Sequence, residues 1–456
     1  MAMSFADMLN SMIDRLPISK NELIRETGIN RSTFFKFLKG DRLPTGAQMM
    51  TIVETAGFPA EETTRLRKAF EREHYGYMSY RSIELVRQFM ESAVESTDIL
   101  HLPAADDSGE EEELETRYEG TADVRRGMLH FLKKARRGSV PPIFAFLPLE
   151  EAYYVATSRV LAPGGREVHF LFSFPDTLDD LDSHVAPYVR YLLPIVFSPD
   201  CQVNYYYSMS DLAQGTGILY PYYILTEDEA FFIDAETSSA YVTCAPELVD
   251  ILRQTFKKRL PFTEEILHPH KTLAETQAEI LSLVKENGIC MFGPTPCLSL
   301  LATEDLARAY MPPQMQDALI SYFTGLQASN PIEVISADGL RKMVEENGIS
   351  EIGIHVTMPR PVMHQALLAL KARLGTSLFI ADSKKITIPA GWSVNVIPDN
   401  AVYLVPYIES FDTVIIREKN LVEAFTQVFD MSLDFFTFDT PASERLLDYY
   451  IDATGA

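Results

Sequence analysis

Residues 1–75 carry apolar positions at helical spacing, interrupted by capping residues and glycines, and this pattern predicts several short amphipathic helices. One helix follows Ser19, a favourable N-cap with Glu22 three residues later as in a capping box, and Gly28 predicts its end. The next helix is predicted to begin at the N-cap Asn30. Its apolar face comprises Ile29, Phe34, Phe37 and Leu38.

The other side of this helix, which ends before Gly40, collects polar and basic residues: Arg31, Ser32, Thr33, Lys36 and Lys39. A further helix is predicted after the N-cap Thr45, with an apolar face of Met49, Ile52, Val53 and Ala56. Residues 15–45 hold seven Lys and Arg against three acids, a balance of +4, whereas the whole chain carries −24. Because a solvated helix face usually mixes charge signs, this local excess favours a nucleic-acid contact.

The spacing of these core and turn residues resembles the Cro/CI-type helix-turn-helix of the xenobiotic-response-element (XRE) family of bacterial and phage regulators. The resemblance covers about residues 5–70 and rests on Leu23, Gly28, Ile29, Phe34, Phe37, Gly40, Pro44 and Ile52. It implies an all-α headpiece that binds double-stranded operator DNA with its second motif helix in the major groove. Phe35 and Leu38 depart from the pattern, because the family usually has polar residues there.

Carried over position by position, the resemblance implies a set of DNA-contacting residues. Arg31, Ser32 and Lys36 would read base edges. The implied phosphate contacts are Lys20, Lys39, Arg42 and Thr45. Thr33 lies on the same polar face and completes the candidate set. For Phe35 two roles stay open, contact with a thymine methyl group or packing on a neighbouring helix.

A length of 456 residues corresponds to roughly three domains of about 150 residues each, and 46% hydrophobic content with 11% aromatic content is typical of a folded protein. We expect a multidomain chain in which the all-α headpiece precedes α/β (α+β) effector domains. The predicted divisions are a headpiece at 1–75, a helix with an acidic linker at 76–115, an α/β domain at 116–270 and a second α/β domain at 271–456.

The segment after the headpiece combines a helical pattern with a run of acids. Residues 80–100 predict one helix with the apolar stripe Ile83, Val86, Met90 and Val94. The partner of this stripe stays open between the headpiece, the next domain and the same helix of a second copy. Acids then crowd residues 104–116, and such a run of like charges predicts a flexible linker.

Beyond the linker, short apolar runs alternate with amphipathic segments, which predicts sheets covered by helices. Strands are predicted at 143–147, 168–174, 203–207, 218–225, 230–233, 241–244, 333–336, 351–357, 377–380, 393–397 and 402–408. Helices are predicted at 121–137, 246–258, 272–286, 338–347, 361–374 and 421–429. The strings 220–224 and 405–408 resemble each other and suggest an internal repeat.

This layout resembles the phospholipase-D-like effector domains of some bacterial sugar-sensing regulators, although their HxKxxxxD catalytic pattern is absent. The nearest strings, which begin at His130 and His268, have the wrong spacing. The chain also has no nucleophile elbow, Walker loop or complete GxGxxG, since residues 215–217 lack the third glycine. His268 and His270 have no third metal ligand at a diagnostic spacing. We therefore expect no enzymatic activity, no cofactor and no metal.

Three further features limit the interpretation. The tyrosines Tyr205, Tyr206, Tyr207, Tyr220, Tyr222 and Tyr223 leave an aromatic pocket and ordinary core packing as open alternatives. Four cysteines without a CxxC pair suggest reduced structural thiols. No apolar run approaches the roughly 20 residues of a membrane span, and the N-terminus does not resemble a signal peptide, so we expect a cytoplasmic protein without membrane association.

Together these observations predict a sequence-specific DNA-binding regulator that acts as a homodimer. Its α/β part is expected to sense a small-molecule or protein effector or to mediate oligomerisation. Two alternatives stay open. An enzyme autoregulated by its helix-turn-helix would show convergent polar residues in a C-terminal pocket, and an antitoxin-like interaction component would co-purify with a partner protein.

Overall fold

The structure is a computed structural model that describes the N-terminal helices continuously and the α/β part with gaps. The described residues are 3–76, 80, 83, 84, 86, 87, 90, 115–137, 142–148, 153, 167–175, 201–208, 219–267, 273–301, 308, 316–351, 354–383, 385–389, 391–406, 413–435 and 437–455. Several features noted in the sequence lie outside them, namely Val94, most of the acidic linker, residues 215–217, His268 and His270.

Residues 3–76 form helices whose ends follow the capping residues. They are α1 (Phe5–Ile13), α2 (Lys20–Thr27), α3 (Arg31–Lys39), α4 (Gly46–Ala56) and α5 (Ala60–Tyr75). The Ser19 hydroxyl accepts a hydrogen bond from the Glu22 backbone N–H at the start of α2. The Glu22 carboxylate does not complete the predicted capping box and lies 3.7 Å from the Arg25 guanidinium. At α4, in contrast, Thr45 and Gln48 form a capping box.

The helical residues after position 80 pack along α5. Ile83, Val86 and Met90 are fully buried in the core that contains the headpiece, and Glu84 lies 3.5 Å from Lys68 of α5. The stripe is therefore covered within the chain. These three residues do not provide a surface for a second copy.

A buried group of charges joins α5 to the helical residues after position 80. Glu71 is fully buried, with the Nε atom of Arg67 at 3.2 Å and the Nη1 atom of Arg87 at 4.0 Å. Burial raises the pKa of Glu71 to about 7, although both guanidinium groups lower it. The folded chain thus keeps the proton of Glu71 at pH values where the unfolded chain has released it.

Glu71 is expected to make the protein less stable as the pH rises from about 4.5 to about 7. Over this range the folded state binds more protons than the unfolded state, so the free energy of unfolding falls by about 1.4 kcal/mol per pH unit, up to about 3 kcal/mol in total. Urea unfolding of the parent and of Glu71→Gln at pH 5, 6, 7 and 8 measures this. The difference in the free energy of unfolding between the parent and Glu71→Gln should change up to about pH 7 and then level off. A difference that stays constant with pH would contradict the raised pKa of Glu71.

The α/β part contains sixteen strands among the described residues: β1 (Arg117–Glu119), β2 (Ile143–Phe146), β3 (Val168–Pro175), β4 (Cys201–Ser208), β5 (Tyr222–Leu225), β6 (Ala230–Ile233), β7 (Ser239–Thr243), β8 (Glu264–Leu267), β9 (Cys290–Gly293), β10 (Ile332–Ser336), β11 (Gly348–Glu351), β12 (Ile354–Thr357), β13 (Leu378–Ala381), β14 (Trp392–Ile397), β15 (Ala401–Pro406) and β16 (Val414–Ile416). The helices described here are α6 (Thr121–Arg137), α7 (Pro246–Arg259), α8 (Leu273–Asn287), α9 (Leu298–Leu301), α10 (Gln316–Ala328), α11 (Ala337–Glu345), α12 (Arg360–Arg373), α13 (Lys419–Phe435) and α14 (Thr440–Gly455). A 3-10 turn, Leu260–Phe262, joins α7 to β8.

One predicted strand, 351–357, is wrong as a single strand, because it covers the last residue of β11 and the whole of β12. Residues 351–357 contribute to a separate antiparallel hairpin, in which β11 pairs with β12. Ile349 lies opposite Val356 and both are buried. Because both strands place apolar side chains on one face, the apolar pattern alone does not reveal the reversal of the chain.

The other fourteen strands form one sheet, and its two halves repeat the same arrangement of seven strands. The strand order is β1-β7-β6-β5-β2-β3-β4-β8-β16-β15-β14-β9-β10-β13. In the first unit (residues 117–259), β2, β3 and β4 are parallel, and an antiparallel arm of β5, β6 and β7 ends at β1. In the second unit (residues 264–435), β9, β10 and β13 are parallel, and the arm of β14, β15 and β16 ends at β8.

The two units are joined edge to edge where β4 pairs antiparallel with β8. The two similar strings in the sequence do not lie in equivalent strands of the two units. String 220–224 leads into β5, whereas string 405–408 begins in β15, which is the counterpart of β6. The chain is therefore multidomain, with N-terminal helices followed by a mixed α/β part.

Helix α13 lies between the second unit and the headpiece. On one side it packs against β9, β14 and β15, where Phe429 contacts Phe292 with ring centroids 4.9 Å apart. On the other side it packs against α4, and Phe435 contacts Phe70 of α5 at 5.4 Å. The headpiece is thus docked on the α/β part through α4 and α5.

Candidate nucleic-acid interface

The candidate interface is built on α2 and α3, which are joined by residues 28–30. Gly28 adopts a left-handed conformation with φ of 66°, which glycine accommodates without strain. The Asn30 side chain then accepts the Ser32 backbone N–H at 2.9 Å and caps α3. These local contacts set the turn between the two helices.

Packing decides which face of α3 meets solvent. Phe34, Phe37 and Leu38 are buried, with both phenylalanines completely inaccessible. The side-chain amide of Asn10 on α1 donates to the Leu38 carbonyl at 2.6 Å, which ties α1 to the end of α3. Sequence reasoning did not identify Asn10, although an asparagine in the apolar helix α1 was a signal for such a contact.

Four cations cover the exposed side of α3 and the turn after it: Arg31, Lys36, Lys39 and Arg42. None of them forms an ion pair or side-chain hydrogen bond with any residue that the structure describes. Other cations of the headpiece do, since Arg15 lies 2.7 Å from Glu62 and Lys20 lies 2.7 Å from Asp14. The positive charge on α3 is therefore exposed and uncompensated.

The remaining candidate residues are placed differently. The Ser32 hydroxyl donates to Asn30 Oδ1 at 2.8 Å, and the Thr45 hydroxyl accepts from the Gln48 backbone, so both support helix starts. Thr33 is half-buried. Lys20, which the sequence also predicted as a phosphate contact, forms an ion pair with Asp14.

Phe35 is half-buried and packs at the edge of the headpiece core. The Arg31 guanidinium carbon lies 5.7 Å from the centre of its ring, within cation–π distance. Of the two roles left open for Phe35, packing is thus seen in the structure. The contact also limits the directions in which Arg31 can extend.

The described residues show neither a metal site nor a membrane-spanning helix. They contain no group of three or more His, Cys, Asp and Glu side chains arranged to hold a metal ion. None of their helices has both the length and the apolar character needed to cross a membrane.

Comparisons with known proteins give distant structural likenesses. No protein-family model matches the chain, and no curated protein is similar to it. An archaeal chromatin protein, TrmBL2, whose structure shows a novel mode of DNA binding, is 12% identical over 58% of this chain and all of its own, with a TM-score of 0.23. Polyphosphate kinase from Porphyromonas gingivalis is 12% identical over 73% of this chain and 54% of its own, with a TM-score of 0.22.

Phosphatidylserine synthase from Haemophilus influenzae Rd KW20 is 9% identical over 80% of this chain and 98% of its own, with a TM-score of 0.22. TM-scores this low do not establish a shared fold.

Proposed function

We propose that the protein is a sequence-specific DNA-binding transcriptional regulator of the helix-turn-helix class, with α3 in the major groove. The observation that carries the proposal is the set of four exposed cations on α3 and its following turn, which have no anionic partner in the described part of the chain. In a chain of net charge −24, this local positive surface suits the DNA phosphate backbone. The α/β part would sense a signal or mediate oligomerisation.

The exposed face suggests separate roles for these cations. Arg31 and Lys36, which face solvent from the first two turns of α3, are proposed to read bases. Lys39 and Arg42, at its end, are proposed to neutralise phosphates. The proposal gives the chain no catalytic role and no cofactor.

Arg31→Ala is expected to weaken binding to the natural operator by about 1–3 kcal/mol and to relax the base preference at one or two positions. Lys39→Ala is expected to weaken binding to all DNA sequences alike and to reduce the salt dependence of binding by about one released ion. Genomic footprinting would supply the operator, and gel shifts at several fixed salt concentrations measure both effects.

Lys134→Ala is the matched control, because Lys134 is an exposed cation of α6 whose Nζ atom lies 2.8 Å from Glu229, far from α3 in the chain. It should bind like the parent. If Arg31→Ala and Lys39→Ala also bound like the parent, α3 would not be the recognition helix.

The regulator is further proposed to act as a homodimer. One headpiece reads only half a site and buries too little surface for tight specific binding, so a second copy is needed. Light scattering of the intact protein at micromolar concentration should give twice the chain mass of 51.4 kDa. A value equal to one chain would remove the dimer from the proposal.

A further inference from the structure

Phe35 is an aromatic residue on the side of α3 that otherwise carries cations. Residues four apart lie one above the other on a helix, so Arg31, Phe35 and Lys39 form one row. Arg31 and Lys39, at the two ends of this row, are exposed, and Phe35 between them is half-buried. The other phenylalanines of α3, Phe34 and Phe37, are completely inaccessible. Phe35 therefore differs from them in keeping part of its ring at the surface of the cationic face.

The two sides of the Phe35 ring have different surroundings. One part of the ring packs at the edge of the headpiece core, and the Arg31 guanidinium carbon lies 5.7 Å from the ring centre. A guanidinium group that rests on an aromatic ring has fewer orientations to lose when it binds a ligand. The contact thus holds the two side chains next to each other on the face of α3 that is proposed to enter the major groove.

These two side chains suit different groups on the base edges. An arginine donates two hydrogen bonds to the O6 and N7 atoms of guanine, whereas a phenylalanine offers apolar surface that matches the 5-methyl group of thymine. Successive bases are about 3.4 Å apart along one strand, and the Cβ atoms of helix residues four apart are about 5–6 Å apart. Because these distances are similar, Arg31 and Phe35 can meet neighbouring base pairs.

We propose that Phe35 is a specificity-determining residue that contacts the 5-methyl group of a pyrimidine, in the base pair next to a guanine bound by Arg31. The inference rests on the proposed DNA-binding function and names the chemical group that is read. Each half-site of the operator then contains a 5-methylpyrimidine beside a guanine. Thymine and 5-methylcytosine both carry this methyl group, whereas uracil and cytosine lack it.

The test compares bases that differ only in this methyl group. Genomic footprinting supplies the operator, each of its thymines is replaced in turn by uracil, and gel shifts of the full-length protein at fixed salt give the Kd. At one thymine of each half-site, uracil should raise the Kd about fourfold, which is the effect of leaving one methyl group unburied. A cytosine at this position should bind less tightly than 5-methylcytosine by about the same factor.

Variants of the protein connect the sensitive position to Phe35. Phe35→Ala should bind the thymine and uracil operators with the same Kd, and Arg31→Ala should relax the base preference at the adjacent base pair. Phe58→Ala is the matched control, because Phe58 is buried in the same core but lies outside α3. It should keep the ratio of about fourfold between the two operators. Partial loss of folding weakens binding to both operators alike, so the ratio reports the methyl contact.

The parent protein alone can overturn the inference, if uracil changes the Kd at none of the thymines. A Phe35→Ala variant that distinguishes thymine from uracil as well as the parent does would also overturn it. So would a sensitive thymine that is not adjacent to the base pair read by Arg31. In each of these cases the protein still binds its operator, and the proposed regulator function stands. Absence of any footprint would instead reject that function, and the methyl contact with it.

Discussion

Gly339→Ala is expected to destabilise the second unit by more than about 3 kcal/mol, beyond the usual range for an added methyl group. A Cβ atom at this position would overlap the backbone carbonyl oxygen of Pro294, which cannot move as a side chain can. Ser336 leaves little room for adjustment, because its hydroxyl donates to the same carbonyl at 2.8 Å and accepts the Gly339 N–H at 2.8 Å. Urea unfolding followed by circular dichroism measures the loss.

Gly325→Ala is the control for this substitution. The nearest atom to its added Cβ is the Cδ2 atom of Leu281, the end of a flexible side chain. Relief of that contact, together with the better helix propensity of alanine, should keep the change within about 1 kcal/mol. Equal losses for the two variants would show that α11 does not pack closely on the end of β9.

Phe70→Ala is expected to lower the free energy of unfolding by about 3–5 kcal/mol. The side chain is fully buried, and its ring contacts Phe5 at 5.6 Å within the headpiece and Phe435 at 5.4 Å on α13. The substitution thus removes packing both inside the headpiece and at its contact with the α/β part. Chemical unfolding of the full chain, monitored by signals from both the headpiece and the α/β part, measures the effect.

A double-mutant cycle with Phe435→Ala isolates the contact between the headpiece and α13. Edge-to-face ring pairs contribute about 0.5–1.5 kcal/mol beyond area burial, so the two substitutions should be non-additive by about that amount. Phe5→Ala provides the comparison within the headpiece. Strict additivity of Phe70→Ala and Phe435→Ala would mean that the headpiece does not dock on α13 in solution.

The ends of α2, α3 and α4 could be predicted because local chemistry sets them. Ser19, Asn30 and Thr45 cap helices, and Gly28 and Gly40 end them in left-handed conformations, as their residue types predict. Each of these contacts spans five residues or fewer, so a single sequence contains the whole signal. The buried residues after position 80 were not assignable in this way, because their partners on α5 are separate in sequence.

In the α/β part, the sequence predicted most strands but not their arrangement. An apolar run such as β2 or β10 shows that a strand is buried, whereas its neighbours are strands that lie tens of residues away in the sequence. The pairing of β1 with β7, which joins Tyr118 to Ala240, is an example. The duplication therefore became visible only from the strand order.

The candidate interface was predictable as a charged helix face, but not the state of each side chain. Helical spacing places Arg31, Lys36 and Lys39 on one side of α3, and they are exposed there. The ion pair of Lys20 with Asp14 and the contact of Arg31 with Phe35 depend on side-chain positions that spacing does not specify.

If the protein is the regulator proposed above, docking of α4 and α5 on α13 has a consequence for its operator. The docking contacts leave the basic face of α3 free, so the headpiece would need no release before it meets DNA. In a dimer held together by the α/β units, the distance and angle between the two recognition helices would then be set by rigid packing. Such a protein would bind operators whose half-sites are spaced by about one helical turn, 34 Å. It would not bind operators in which half a turn is inserted between the half-sites.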